Sequence, residues 1–244
     1  MAFVELDRVR LHVVERGSGD PLVIVHGAAA STVSVEPLLE GLSRTRRVIA
    51  FDLRGMGRST AVEEMPPTAW NDDLIALLDH LELARVDLLG VSLGARIALR
   101  AALDRPERVR ALVLDAPIVA DSPEGSAAVE RIFGAEIPPA LAAGLEHWNG
   151  PTWREVAARF LRLRLTPGLQ DHYALGGLLD GVEQPVLVCR GDVDDPIHPL
   201  AHAFEVHARI AGSQLWIAPG TPFSATRFRP DEAVGQIERF LATI

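Results

Sequence analysis

The sequence contains no lysine, so arginine alone supplies its 24 basic residues against 33 acidic ones. The formal net charge is −9, and no stretch of the chain concentrates positive charge. Proteins that bind nucleic acid or an anionic membrane surface need such a concentration. We therefore expect neither a nucleic-acid partner nor a membrane partner.

Cysteine is almost absent: Cys189 is the only one. It cannot form an internal disulfide, and we expect a structural thiol in a buried strand. No apolar run approaches the roughly 18–20 residues of a membrane-spanning helix. Residues 1–7 lack the charged and apolar regions of a signal peptide, so we expect a cytoplasmic protein.

The signatures of common cofactors are missing too. The sequence shows no metal-ligand spacing, no dinucleotide-binding glycine motif and no phosphate-binding loop. We therefore expect no metal, no cofactor and a small molecule as the partner. The chain has enough hydrophobic residues to form a sizeable core, because 48% of its 244 residues are hydrophobic.

Apolar runs alternate with helical patterns along most of the chain. Continuous apolar runs such as Pro21–His26 and Arg47–Phe51 are typical of strands buried on both faces. This alternation predicts a mostly parallel sheet that is covered by helices on both sides. The predicted strands lie in 2–16 (two strands), 21–26, 47–51, 86–90, 109–114, 185–190 and 214–218, and the predicted helices are 35–43, 68–83, 93–104, 199–210 and 230–243.

The alternation stops near Pro117 and resumes near residue 183. Residues 118–182 are rich in alanine, leucine and arginine and contain five prolines, with no strand pattern. We predict that this segment is an insertion of several short helices. The sheet domain then comprises residues 1–117 and 183–244.

The strand predicted to end near Gly90 leads through Ser92 to Gly94, where a helical pattern begins. Gly-x-Ser-x-Gly between a strand and a helix is the nucleophile-elbow pattern, in which a strained turn exposes the serine hydroxyl. The glycines allow the backbones of strand and helix to approach closely.

Three further segments accompany this turn, namely His26-Gly27, the loop Asp52–Ser59 and the segment Gly191–Pro199. Together with the elbow they resemble the oxyanion loop, the D-x-R-G-x-G-x-S loop and the acid loop of the α/β-hydrolase family. The resemblance covers essentially the whole chain. It implies an α/β fold with a mostly parallel eight-stranded sheet flanked by helices, and a helical lid at residues 118–182.

The resemblance also implies roles for individual residues. Ser92 resembles the nucleophile, and the backbone N–H groups of Leu93 and Ala28 would form the oxyanion hole. Two spacings within the acid loop select different acids, Asp194 and Asp195. We favour Asp195, because Asp-Pro-Ile-His-Pro matches the family's exit into the next helix.

The chain departs from the family at the catalytic histidine. Phe223 occupies that position, and Pro222 replaces the glycine before it. Phenylalanine cannot accept a proton, so we expect an incomplete triad. Among the eight histidines, His198 is nearest to the site in sequence and is a candidate surrogate base, although a structural role at a helix start is the stronger expectation. Phe223, His26 and Trp148 are expected in the substrate pocket.

Three functions remain open. The first is non-hydrolytic chemistry of the lyase, cyclase or isomerase type on a small apolar carbonyl or ester substrate, using the oxyanion hole, Ser92 and an aspartate. The second is an ester, thioester or lactone hydrolase that recruits a displaced base. The third is a catalytically silent ligand-binding protein. The fold alone does not decide among them. We favour the first, because the elbow, the oxyanion loop and the acid motif are intact and the apolar Phe223 would enlarge the apolar wall of the pocket.

Overall fold

The structure, a computed structural model, describes residues 2–244; Met1, which the predicted sheet domain includes, lies outside the described residues. Eight strands form one sheet in the order β1-β2-β4-β3-β5-β6-β7-β8. Strands β1 and β2, and β2 and β4, pair antiparallel, whereas the pairs from β4 through β8 are parallel. The strands are β1 (Ala2–Glu5), β2 (Arg10–Arg16), β3 (Pro21–Val25), β4 (Arg47–Phe51), β5 (Val86–Val91), β6 (Val109–Asp115), β7 (Val186–Gly191) and β8 (Gln214–Ala218).

The central strands are buried on both faces, as their continuous apolar runs predict. In β3, Val23 and Val25 join the core on one side of the sheet, and Leu22 and Ile24 join the core on the other. All four side chains have no exposed surface. This alternation fixes the register, because a one-residue slip would exchange the two cores.

Ten α-helices accompany the sheet within residues 2–244. The predicted helices agree with those of the structure to within a few residues, and the mostly parallel eight-stranded sheet with flanking helices is confirmed. One helical turn after β8 was not predicted. The helices are α1 (Glu36–Leu42), α2 (Ala69–His80), α3 (Leu93–Asp104), α4 (Pro123–Glu130), α5 (Pro139–Asn149), α6 (Trp153–Leu163), α7 (Leu169–His172), α8 (Leu200–Arg209), α9 (Ala225–Phe228) and α10 (Pro230–Leu241).

The segment 118–182 contains helices α4 to α7 and no strand. Its helix α5 is tied at its end to the loop that follows β3. The hydroxyl of Ser31 donates to the Trp148 carbonyl at 2.6 Å, and the Asn149 amide donates to the Ala29 carbonyl at 2.9 Å. No helix in the part of the chain that the structure describes has the length and apolarity needed to cross a membrane.

The turn from β5 into α3 brings the backbones of the helix and the strands into close contact. A Cβ on Gly90 would lie 2.2 Å from the Gly94 carbonyl oxygen, and one on Gly94 would lie 2.0 Å from the Val25 carbonyl oxygen. Real Cβ atoms do not approach backbone oxygens this closely. The two glycines therefore set how near α3 lies to the strands below it.

We expect Gly94→Ala to lower the free energy of unfolding by about 3 kcal/mol, because the added methyl group forces backbone apart in a packed core. The control is Gly177→Ala, where a Cβ meets nothing within 4 Å. Urea denaturation of the two variants measures the difference. Equal stability of the two proteins would contradict this account of the turn.

Candidate active site

Ser92 stands between β5 and α3 in a strained backbone conformation. Its φ and ψ are 54° and −112°, a region that side-chain-bearing residues rarely adopt. The backbone N–H of Ser92 donates to the Asp115 carbonyl at the end of β6, at 2.9 Å. This hydrogen bond helps to hold the strained serine at the carboxyl edge of the sheet, as the elbow pattern predicts.

The imidazole of His198 contacts this serine. Its Nε2 lies 2.8 Å from Ser92 Oγ, and the His198 side chain is almost fully buried. The expectation that Ser92 lacks an imidazole is therefore wrong. The loop after β7 brings His198 to the hydroxyl directly, so the position after β8 is not needed.

The structure also separates the two candidate acids. Asp195 Oδ1 lies 3.2 Å from His198 Nδ1 and accepts the backbone N–H groups of Ile197 and His198, both at 2.9 Å. Asp194 Oδ1 instead accepts the N–H of Leu200, the first residue of α8, at 2.7 Å. Asp195 thus contacts the imidazole and Asp194 caps a helix.

Arg190, near the end of β7, holds the segment Gly191–His198 by hydrogen bonds to its carbonyl groups. Its side chain is 1% exposed, and its guanidinium donates to the carbonyls of Gly191 (2.7 Å), Val193 (3.2 Å) and His198. Its Nη2 lies 3.9 Å from Asp195 Oδ2. Arg190 was not among the predicted site residues, although an arginine at the end of an otherwise apolar strand is a signal that could have indicated a structural role.

Phe223 covers the free face of the His198 ring. The two rings are stacked, with centroids 4.1 Å apart and planes inclined by 8°. The Phe223 ring thus fixes the orientation of the His198 imidazole. An aromatic face also favours the imidazolium that forms when His198 accepts a proton.

The protonation states suit a base. Burial lowers the pKa of His198, and the hydrogen bond that its Nδ1 donates to Asp195 opposes this without cancelling it. Burial acts to raise the pKa of Asp195, but the hydrogen bonds from His198 and from backbone N–H groups lower it overall. Near neutral pH the pair is therefore a carboxylate beside a neutral imidazole.

The two predicted oxyanion donors line the same pocket as Ser92. Among the hydrogen bonds of residues 2–244, none uses the backbone N–H of Ala28 or of Leu93. The neighbouring Ala29 has a φ of 51°, so the loop after β3 is strained beside these donors. Both N–H groups are free to bind an oxygen atom of a ligand.

The pocket has a volume of about 580 Å³ and extends from Ser92 to helices of the insert. Trp148 and Phe223 line it, as predicted. The prediction for His26 is wrong, because His26 has no exposed surface and does not line the pocket. Its Nδ1 bonds to the Gly27 carbonyl and its Nε2 accepts the Leu53 N–H at 3.0 Å. The ring therefore joins the backbones of the loops that follow β3 and β4.

The glycine-rich loop Asp52–Ser59 supports the site without reaching it. Buried Asp52 accepts the N–H of Thr32 at 2.6 Å and that of Arg58 at 2.8 Å, and also contacts the His12 ring. Asp52 therefore connects this loop to the segment that follows the predicted oxyanion donors.

No group of three or more His, Cys, Asp or Glu side chains within residues 2–244 is arranged to hold a metal ion. The arrangement present is a strained serine, a neutral imidazole, a carboxylate and two free N–H donors. Such a group can transfer a proton from the serine and bind a developing oxyanion.

The sequence profile of the alpha/beta hydrolase fold matches residues 20–177 of this chain. A poly(3-hydroxyalkanoate) depolymerase from Ectopseudomonas oleovorans is 30% identical over 88% of this chain and 83% of its own length. A 2-(acetamidomethylene)succinate hydrolase from Mesorhizobium japonicum is 28% identical over 98% of this chain and 94% of its own length. A 2-hydroxymuconate semialdehyde hydrolase from Pseudomonas sp. (strain CF600) is 37% identical, but the match covers 43% of this chain and only 39% of that relative.

Two solved structures share the architecture. Est816, an N-acyl homoserine lactone degrading enzyme, superposes with a TM-score of 0.85 at 23% identity, over 98% of this chain and 100% of that one. The enol-lactonase from Burkholderia xenovorans LB400 superposes with a TM-score of 0.81 at 19% identity, over 99% and 100% of the two chains. At these identities the likeness concerns the fold alone. The family profile, however, matches more than half of this chain. The chain therefore belongs to the α/β-hydrolase fold family.

Proposed function

We propose that the protein is a serine hydrolase that cleaves a carboxylic ester or lactone of a small molecule. Ser92 is the nucleophile, His198 the base and Asp195 the acid of a triad whose last two members share one loop. The observation that carries this proposal is the 2.8 Å contact between Ser92 Oγ and His198 Nε2. A serine hydroxyl needs an adjacent base to attack a carbonyl at neutral pH.

The proposed reaction has two halves. In the first, Ser92 Oγ attacks the carbonyl carbon while His198 Nε2 takes the hydroxyl proton, and the N–H groups of Ala28 and Leu93 bind the oxyanion. His198 then returns the proton to the leaving alcohol as the acyl-serine forms. In the second half, water gives a proton to His198 as its oxygen attacks the acyl carbon. The bond to Ser92 Oγ then breaks, His198 returns the proton to Oγ, and the acyl group leaves as a carboxylic acid.

The alternative of lyase, cyclase or isomerase chemistry rested on a serine without a base. The geometry removes that premise, because His198 contacts Ser92 and Phe223 stacks on His198. The names of the relatives also favour hydrolysis, since several are hydrolases and one is a depolymerase.

Helices α4 to α7 line the pocket above the serine and would act as its lid.

We expect His198→Gln to reduce kcat/KM for short aryl esters by about 10⁴–10⁶-fold, because the serine loses its proton acceptor. Ser92→Ala should cause a similar loss and should abolish labelling by an aryl phosphonate. His207→Gln is the matched control, because His207 bonds to Ser213 and does not line the pocket.

Two results would contradict the proposal. One is full esterase activity in His198→Gln with a normal far-ultraviolet spectrum. The other is a wild-type protein that neither reacts with the phosphonate nor hydrolyses any aryl ester or lactone. The second result would favour a silent binding protein.

The pH profile provides a separate test. Because burial holds the pKa of His198 below its usual value of 6.5, kcat/KM should be constant above neutral pH and fall only as the pH drops through that lower pKa. Asp195 acts to raise the pKa of His198. Asp195→Asn should therefore move the acid limb to still lower pH and reduce kcat/KM by about 10²–10⁴-fold.

Stopped-flow or plate-based initial rates between pH 4 and 9 measure both effects, with Asp194→Asn as the control variant. An acid limb that moves with Asp194→Asn and not with Asp195→Asn would show that the acid is assigned to the wrong residue.

A further inference from the structure

Arg227 in α9 is a cation without an acidic partner. Its guanidinium lies over the ring of Trp148 at 4.5 Å and over the ring of Phe228 at 5.1 Å, and it lines the pocket that contains Ser92. Within residues 2–244, only its backbone N–H forms a hydrogen bond, to Ser224. Its side chain forms no ion pair with any described residue.

The other arginines that line the pocket differ in this respect. Arg96 is paired with Asp121 at 3.0 Å, and Arg164 lies 3.6 Å from Glu130. Arg131 has no acidic partner, but it is exposed and therefore hydrated. Arg227 alone combines partial burial, two aromatic contacts and no counter-charge among the residues that the structure describes.

This arrangement is costly for the free protein, and a bound anion would offset the cost. Burial lowers the pKa of Arg227 with no carboxylate to oppose it, yet a guanidinium stays protonated under all physiological conditions. The two rings and α5 hold the group in place: a Cβ on Gly144 would lie 3.3 Å from Arg227 Nη2. A partly desolvated guanidinium that packs against two aromatic rings is well suited to bind an anion, because little entropy is lost on binding.

The position of Arg227 connects it to the proposed catalytic group. Phe228 meets Phe223 edge to face at 6.1 Å between ring centroids, and Phe223 stacks on His198. Arg227 therefore lies on the same wall of the pocket as the base. Phe228 is 42% exposed, so this wall extends towards solvent and leaves room for a polar end of a substrate.

We propose that Arg227 is an anion subsite and that the substrate carries a carboxylate at the end of its acyl chain. This inference rests on the proposed function, whose substrate class it narrows. A single guanidinium fork matches the planar, singly charged carboxylate in a bidentate pair. A phosphate dianion would need further donors and would meet more repulsion from a chain of net charge −9.

The test compares two esters with the same leaving group and acyl length, p-nitrophenyl hexanoate and mono-p-nitrophenyl adipate. We expect the wild-type protein to prefer the adipate monoester. Arg227→Met should lower kcat/KM for the adipate monoester at least about tenfold, mainly through KM, and change that for the hexanoate less than about threefold. Arg227→Lys should recover part of the preference.

Arg229→Met is the matched control, because it removes the same charge two residues away, where Arg229 pairs with Glu232. The proposal is wrong if Arg227→Met affects both esters equally, or if Arg131→Met removes the preference instead. It is also wrong if the wild-type protein does not distinguish the two esters.

A binding measurement separates this inference from the proposed function. Calorimetry on Ser92→Ala compares monomethyl adipate with methyl hexanoate, and needs no turnover. Tighter binding of the adipate that Arg227→Met abolishes supports the subsite even if neither ester is hydrolysed. Equal binding of the two ligands overturns the subsite even if both are hydrolysed.

Discussion

The contact between Ser92 and His198 depends on the rigidity of one short loop. In the segment Asp195-Pro196-Ile197-His198, a single carboxylate oxygen accepts two backbone N–H groups and the Nδ1 side of the imidazole. Buried Arg190 donates to the His198 carbonyl and to the carbonyls of Gly191 and Val193, which precede this loop. These charge-assisted hydrogen bonds order the acid and the imidazole together, at the end of a strand that the sheet already fixes. Each of the two residues is thus placed by local geometry, and only the serine comes from another part of the chain.

The segment after β8 supplies no histidine, but it supports the site by packing and by hydrogen bonds. Phe223 packs on the imidazole, and the next residues bind the Asp115 carboxylate at the end of β6: Ser224 and Thr226 through their hydroxyls, and Ala225 through its N–H at 3.0 Å. Burial raises the pKa of Asp115 to about 6, and these donors oppose the rise. The Asp115 backbone carbonyl also accepts the Ser92 N–H, so one residue joins the elbow to the loop that carries Phe223.

Much of this was open to prediction from the sequence, for identifiable reasons. Buried parallel strands are continuous apolar runs, and the elbow is a local pattern, so β3, β5 and Ser92 were found directly. His198 was only a surrogate candidate in the sequence, because the family pattern places its histidine after β8. The turn that brings Asp195 and His198 together leaves only a short Asp-x-x-His spacing, which is a weak signal. His26 was misplaced because its ring nitrogens bind the backbone of two loops, which no sequence pattern shows. Arg227 contacts Trp148, which is distant in sequence, and only the fold reveals that contact.

A crystal structure of the aryl phosphonate adduct tests the central claim most directly. The account predicts phosphorus bonded to Ser92 Oγ, a phosphonyl oxygen bound by the N–H groups of Ala28 and Leu93, and His198 Nε2 within hydrogen-bonding distance of Ser92 Oγ or of the departed group's site. It also predicts Phe223 stacked on the imidazole and Asp195 bonded to Nδ1. An adduct in which a different histidine reaches the phosphonyl group, with His198 turned away from Ser92, would contradict it.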